Sequence, residues 1–268
     1  MALLRNVTRT ILNATETTAK THTLNSDTLI FEMTTSDFFY VAFQGRFGAR
    51  HFNFSTANTN PSALTVEQWN ADTSTWDAVE DLVDETIGFT KTGFVHWVNN
   101  DVWSLRTQAP IDDLELFYVR ISVSADLSVG TLLQSVINLF SDDEGLREYW
   151  PELVTDTRFL PTGRTDFLEQ HKAGKDLVVR RMRQRRLIRQ ESQVIDINQV
   201  MLAAVHATAW IILNPIARTD EMVLLADRAD KAFKNEINEL AQNVDKNEDG
   251  QISESERRDL GEPTVLRR

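Results

Sequence analysis

The chain contains no cysteine, which excludes disulfides, thiolate nucleophiles and zinc–thiolate centres. No uninterrupted apolar run reaches the length of a membrane span. The longest, Met201–Leu213, is broken by His206 and Thr208 and reads as a core helix. The opening MALLRNVTRTIL has no apolar h-region and no small-residue cleavage site, so no signal peptide is expected. The sequons at Asn6, Asn13 and Asn53 then read as chance matches. Positive charge is in deficit: 28 Lys and Arg against 40 Asp and Glu give a net charge of −12 and a pI near 4.9. Such acidity disfavours a surface that coats nucleic acid or an anionic membrane throughout. There is no G-x-S-x-G and no H-E-x-x-H, and Gly45-Arg46-Phe47-Gly48 lacks the spacing of a phosphate loop. His22, His51, His96, His171 and His206 are scattered without ligand spacing. The expectation is a protein that is not an enzyme.

What is present falls into two halves. From about Thr21 to Asp126 the segments LIFEM, FFYVAFQG, ARHFNFS, ALTVEQWN, FVHWV and LFYVRISVS are short and rich in Phe, Tyr, Val and Ile, and several alternate apolar with polar residues. Turn-forming clusters such as Asn58-Thr59-Asn60-Pro61 and Asn99-Asn100-Asp101 separate them. After about Leu132 the period changes. LLQSVINLF is consistent with one more strand. A short helix follows in SDDEGLREYWPEL, capped by Ser141 or Asp142 and stopped at Pro151. Longer helices are predicted over Thr165–Arg189, Asp196–Leu213 and Thr219–Val244. The expected fold is α+β: an N-terminal antiparallel β-sandwich (residues 1–128) followed by a C-terminal α-helical bundle (residues 129–268).

Near the end stands DKNEDGQISESE, which fills every fixed position of a single EF-hand-like loop. Asp245, Asn247 and Asp249 supply the alternating oxygens, and Gly250 sits at the sharp turn. Gln251 offers its carbonyl, Ser253 acts through water, and Glu256 closes the site bidentately. The expected cofactor is Ca2+. No second loop exists to pair with it, so a structural staple is expected rather than a sensor.

The run KDLVVRRMRQRRLIR carries Arg180, Arg181, Arg183, Arg185, Arg186 and Arg189. Beyond Met182 a helical projection places arginines on every side. Three readings stay open: a solvated face, docking on an acidic protein surface such as a neighbouring subunit, and contact with nucleic acid. No interleaved stacking aromatics accompany the run. The tryptophans of the first half could form a sugar-binding platform. For Trp69, Trp97 and Trp76 core packing is the expectation.

NLFSDDEGLREYWPEL, DLVVRRMRQRRLIR and QVIDINQVMLAAVHATAWIIL together resemble the head–tail connector, or neck adaptor, proteins of tailed bacteriophages. ALTVEQWNADTSTWDAV and LFYVRISVS are similar to β-sandwich modules that decorate phage structural proteins. The resemblance implies a structural virion protein at the head–tail interface, present in host cytoplasm during assembly. It implies a homo-oligomeric ring, a dodecamer, between the portal protein and the tail or neck proteins, with no membrane partner and no catalytic residues. The arginine run would meet a subunit, the portal or the DNA in the channel. A calcium-dependent carbohydrate-binding module is the alternative.

Overall fold

The computed structural model describes residues 8–13, 15–17, 29–100, 102–108, 112–189, 191–194 and 197–240. The fold is mixed, with antiparallel sheets in the N-terminal part and helices in the C-terminal part. The chain divides into two compact units, Met1–Asn138 and Leu139–Arg268. The division falls ten residues later than the boundary expected after 128. The reason is local: the strand Leu132–Ile137 pairs antiparallel with Ala49–Thr56 and so belongs to the first unit.

Among the described residues, the first unit forms two sheets. One takes β1 (Thr8–Leu12), β2 (Thr15–Glu16), β4 (Phe39–Phe43), β6 (Leu64–Asn70), β7 (Thr75–Ala78), β10 (Leu105–Gln108) and β11 (Asp112–Val123). Its order is β2-β1-β4-β11-β6-β7, with β10 also on β11. The other takes β3 (Leu29–Ile30), β5 (Ala49–Thr56), β8 (Glu80–Asp84), β9 (Gly93–Val98) and β12 (Leu132–Ile137), in the order β3-β12-β5-β9-β8.

The two-residue period of the sequence decides which side chains go inward. Phe39, Val41 and Phe43 of β4 and Val119, Ile121 and Val123 of β11 enter one hydrophobic core. Phe52 of β5, Val95 and Trp97 of β9 and Leu133 of β12 join them from the other sheet. Phe31 meets Phe39 and Phe89 edge-on, at 5.0 and 5.4 Å between ring centroids. Each such ring contributes about 1.5–3 kcal/mol by burial alone. The indole Nε1 of Trp103 donates to the Tyr118 carbonyl at 3.0 Å, which makes burial of that polar atom affordable. Arg50 is a charged residue inside this core. It is 2% exposed, stacks 3.7 Å over Phe47 and donates to the Ala49 carbonyl.

One turn fixes the strand connection before β9. Gly88 has φ +66°, and a Cβ there would lie 2.1 Å from the Ser62 carbonyl oxygen. The Asp84 carboxylate ties this turn by accepting from the backbone N–H of Thr86 and of Gly88.

The second unit is helical. Asp142 caps α1 (Asp143–Tyr149), accepting from the amides of Glu144 and Gly145. Pro151 is the first residue of α2 (Pro151–Thr155) as well as the stop of α1, the position where a missing N–H costs nothing. α3 (Leu168–Gln184), α4 (Asn198–Leu213) and α5 (Asp220–Glu239) follow, the last capped by Thr219. The C-terminal part of the expected helix, beyond 240, lies outside the described residues.

α4 packs on both α3 and α5. Its Val205, Ala209, Ile212 and Leu213 share a core with Leu146, Trp150, Leu153, Phe167, Ala226 and Ala229. Asn198–Ile216 is long and apolar enough to cross a membrane, and half of that stretch is buried within the protein. At Gly174 α3 and α4 come close: a Cβ would lie 2.4 Å from the Thr208 hydroxyl.

Candidate functional site

The six arginines come together at the C-terminal end of α3, though not all on the helix. Arg180, Arg181 and Arg183 lie on its last turns. Arg185 is the C-cap, and Arg186 and Arg189 stand on the turn beyond it. The expected helix to Arg189 therefore stops five residues early. The physical cause is a Schellman-type cap. The amide of Arg186 donates to the Arg183 carbonyl and that of Leu187 to the Met182 carbonyl, each at 3.0 Å. Leu187 and Met182 are both buried, which supplies the apolar contact of the motif. The motif needs a left-handed residue where glycine is usual. Here it is Arg186, at φ +60°, a conformation that costs an L residue with a Cβ roughly 1–2 kcal/mol.

The segment after the cap is held from below. Lys175, 9% exposed, donates to the Glu191 carboxylate at 2.9 Å, with Glu191 8% exposed. Ile188 is buried, and the Arg189 amide donates to the Gln193 side chain. Arg185 donates to the Ile237 carbonyl in the last turn of α5 at 3.4 Å, where a cation complements the helix dipole. All six arginines are exposed. Among the described residues, none has a carboxylate within ion-pairing distance. The result is a concentrated positive surface that no carboxylate among the described residues pairs with, on an acidic chain.

The ligands proposed for Ca2+, Asp245, Asn247, Asp249, Gln251, Ser253 and Glu256, lie outside the described residues. Among the described residues no group of three or more His, Asp or Glu is placed to hold a metal ion.

Trp97 is in the core as expected, at 4% exposure. Trp76 packs, half-buried, against a second and smaller hydrophobic cluster of Ile11, Ala42, Leu116 and Tyr118, and Trp69 belongs to neither cluster. The two tryptophans face each other across β6 and β7, half-buried, on the side of the sheet opposite the larger core. The register explains this: Val66 and Gln68 turn inward and are buried, so Glu67 and Trp69 turn outward. On that outer face two guanidinium groups alternate with rings. Arg120 lies 4.5 Å from Phe38 and 5.0 Å from Trp76. Arg106 lies 5.0 Å from Trp76 and 3.9 Å from Trp69. Arg120 is also bidentate to Glu67, at 2.6 and 3.0 Å. Arg106 has no carboxylate partner among the described residues, and burial pushes its pKa down. Sequence reasoning missed this ladder because Arg106 and Arg120 are distant in sequence from the rings they cover.

Two histidines join polar networks in the second unit. His171, 1% exposed, stands between the Ser141 hydroxyl and the Asp143 carboxylate, 2.9 Å from each. The residue types are those of a hydrolase triad, but Ser141 has no exposed surface to offer a substrate. The network instead joins the start of α1 to α3, and it continues to Thr208 of α4 at 3.4 Å. His206 accepts from the Trp150 indole N–H at Nδ1, 3.0 Å away. Burial, and then the charge of Arg228, lowers its pKa. The neutral ring that can accept this bond is thereby favoured.

The sequence matches no protein-family model, and no curated protein matches it.

Proposed function

We propose that this chain is a structural virion protein, a head–tail connector or neck adaptor. In this reading copies form a homo-oligomeric ring that joins the portal to the tail. The observation that carries the reading is the arginine end of α3: six exposed guanidinium groups on a segment held by a strained cap and a buried ion pair, with no carboxylate within ion-pairing distance among the described residues. A surface held in that state at a cost in stability is a contact surface for an anionic partner. The helical unit that bears it has the element order on which the resemblance to neck adaptors rests.

In the same reading the two antiparallel sheets are a β-sandwich, supported by the one core to which both contribute. The Asp245–Glu256 segment is a single EF-hand-like Ca2+ staple, supported by its complete ligand spacing. Co-purification of the full chain with a phage portal protein tests the proposal. Retention on portal rings is expected. A chain that ignores the portal contradicts it. For the staple, calorimetric titration with CaCl2 should show millimolar or tighter binding that Glu256→Gln abolishes.

One observation favours the alternative of a carbohydrate-binding module: Trp69, Trp76, Tyr40 and Phe38 gather on one outward sheet face. Against it, Arg106 and Arg120 already stack on these rings. A glycan array that stays blank with and without calcium removes this reading.

A further inference from the structure

We infer that the arginine end of α3 is a sequence-independent contact for the phosphodiester backbone of a duplex nucleic acid. The inference deepens the contact-surface reading of these residues and does not require the ring. Three observations select this partner over an acidic protein surface.

The first is what the patch lacks. Among the described residues from 180 to 193, the apolar side chains Met182, Leu187 and Ile188 are 1%, 8% and 3% exposed. The exposed side chains are the arginines and Gln184. A stable protein interface has a desolvated centre of aromatic or aliphatic anchors inside its polar rim, and this surface offers no such centre. A phosphate backbone needs none, because its affinity comes from charge and counterion release.

The second is the choice of cation. All six are arginine, and the first lysine after Lys175 is Lys231. The planar guanidinium fork pairs bidentately with phosphate oxygens. No aromatic residue lies between Phe167 and Trp210, so the surface cannot stack on bases. It contacts backbone and leaves sequence unread.

The third is Arg186. Glycine would satisfy the cap without strain, yet the left-handed position carries an arginine. The left-handed bend at Arg186 turns the chain off the helix, so Arg189 follows a different path from Arg180, Arg181 and Arg183 on the helix. Exposed arginines thus stand on two successive chain segments, which suits a ligand whose phosphates run in two rows.

The test uses the full chain with a fluorescein-labelled 30-bp duplex of arbitrary sequence, read by anisotropy at several salt concentrations. With about four phosphates neutralised, affinity should fall roughly 10²-fold between 50 and 200 mM salt. A second arbitrary duplex should bind equally. The double variant R183Q/R186G should weaken binding at least tenfold and lower the salt slope by about 1.8. Its glycine relieves the cap, so lost binding cannot be put down to lost folding. A duplex RNA arm separates the two sources of phosphodiester: RNA bound less tightly than DNA assigns the surface to DNA, RNA bound as tightly or more tightly extends it to RNA duplexes, and both outcomes support a backbone contact. No binding at 50 mM salt overturns the inference, as does unchanged binding by R183Q/R186G. Displacement by poly-glutamate as efficient as by unlabelled duplex also overturns it, in favour of a carboxylate surface. A monomer suffices for every arm, so failure to form rings with a portal leaves these outcomes readable.

Discussion

Replacing Arg186 by glycine changes two things, a charge and a backbone penalty, and a companion variant separates them. Arg186 occupies the left-handed residue of the cap, with φ +60°. Arg186→Ala removes the charge and keeps the Cβ, and hence the penalty. Arg186→Gly removes both. The penalty is about 1 kcal/mol after allowing for the greater freedom of glycine in the unfolded chain. Removing the charge from a group of exposed arginines changes stability by a few tenths of a kcal/mol in either variant, screened by salt. The glycine variant should therefore exceed the alanine variant by about 1 kcal/mol, or roughly 3–6 °C in the transition of the helical unit. Differential scanning calorimetry of the full chain at 150 mM salt reads this directly. The transition of the helical unit is identified as the one that Lys175→Met also moves. A glycine variant no more stable than alanine would refute the strained-cap argument, and with it the third reason for placing a ligand at this surface.

Other outcomes follow from the same geometry. Lys175→Met removes the cation that pairs with the buried Glu191 carboxylate, and should cost about 3 kcal/mol. The double variant K175M/E191L should recover most of that loss in urea denaturation. Gly88→Ala places a methyl group 2.1 Å from a carbonyl oxygen at φ +66°. It should cost several kcal/mol in the sheet unit, seen as reduced soluble yield and loss of near-ultraviolet circular dichroism, while the helical signal persists. His206 has its pKa lowered from 6.5 in the folded state by burial and by Arg228, so the unfolded chain takes up a proton at higher pH than the native one. Its contribution to stability is complete above about pH 6.5 and is lost as pH falls through that value toward the folded pKa. His206→Gln keeps an acceptor for the Trp150 indole. It should flatten this part of the difference between stability curves measured from pH 7.5 to 5.

The strand segments were legible because Phe, Val and Ile alternate with polar residues in FFYVAFQG and LFYVRISVS, and the structure puts Phe39–Phe43 and Asp112–Val123 there. The edge pieces Thr75–Ala78 and Glu80–Asp84 were not, since TWDAVEDLVD has too few β-branched residues to announce a strand. Pairing with Leu64–Asn70 and Gly93–Val98 supplies what local preference does not. Helix starts were readable from Asp142 and Thr219, whose side chains accept from the first-turn amides. The end of α3 was hidden because no glycine marks its cap. Trp69 was assigned to the core on residue type, whereas its parity in Leu64–Asn70 decided its face. Of the candidate site, the arginines were evident from the sequence. Their support was not, because Lys175 and Glu191 are sixteen residues apart and share no motif.

Electron-microscope images of the full chain mixed with phage portal rings address the central claim, the proposed neck adaptor, most directly. The account predicts a second ring coaxial with the portal, with the same rotational order. Bare portal rings beside free single molecules would contradict it.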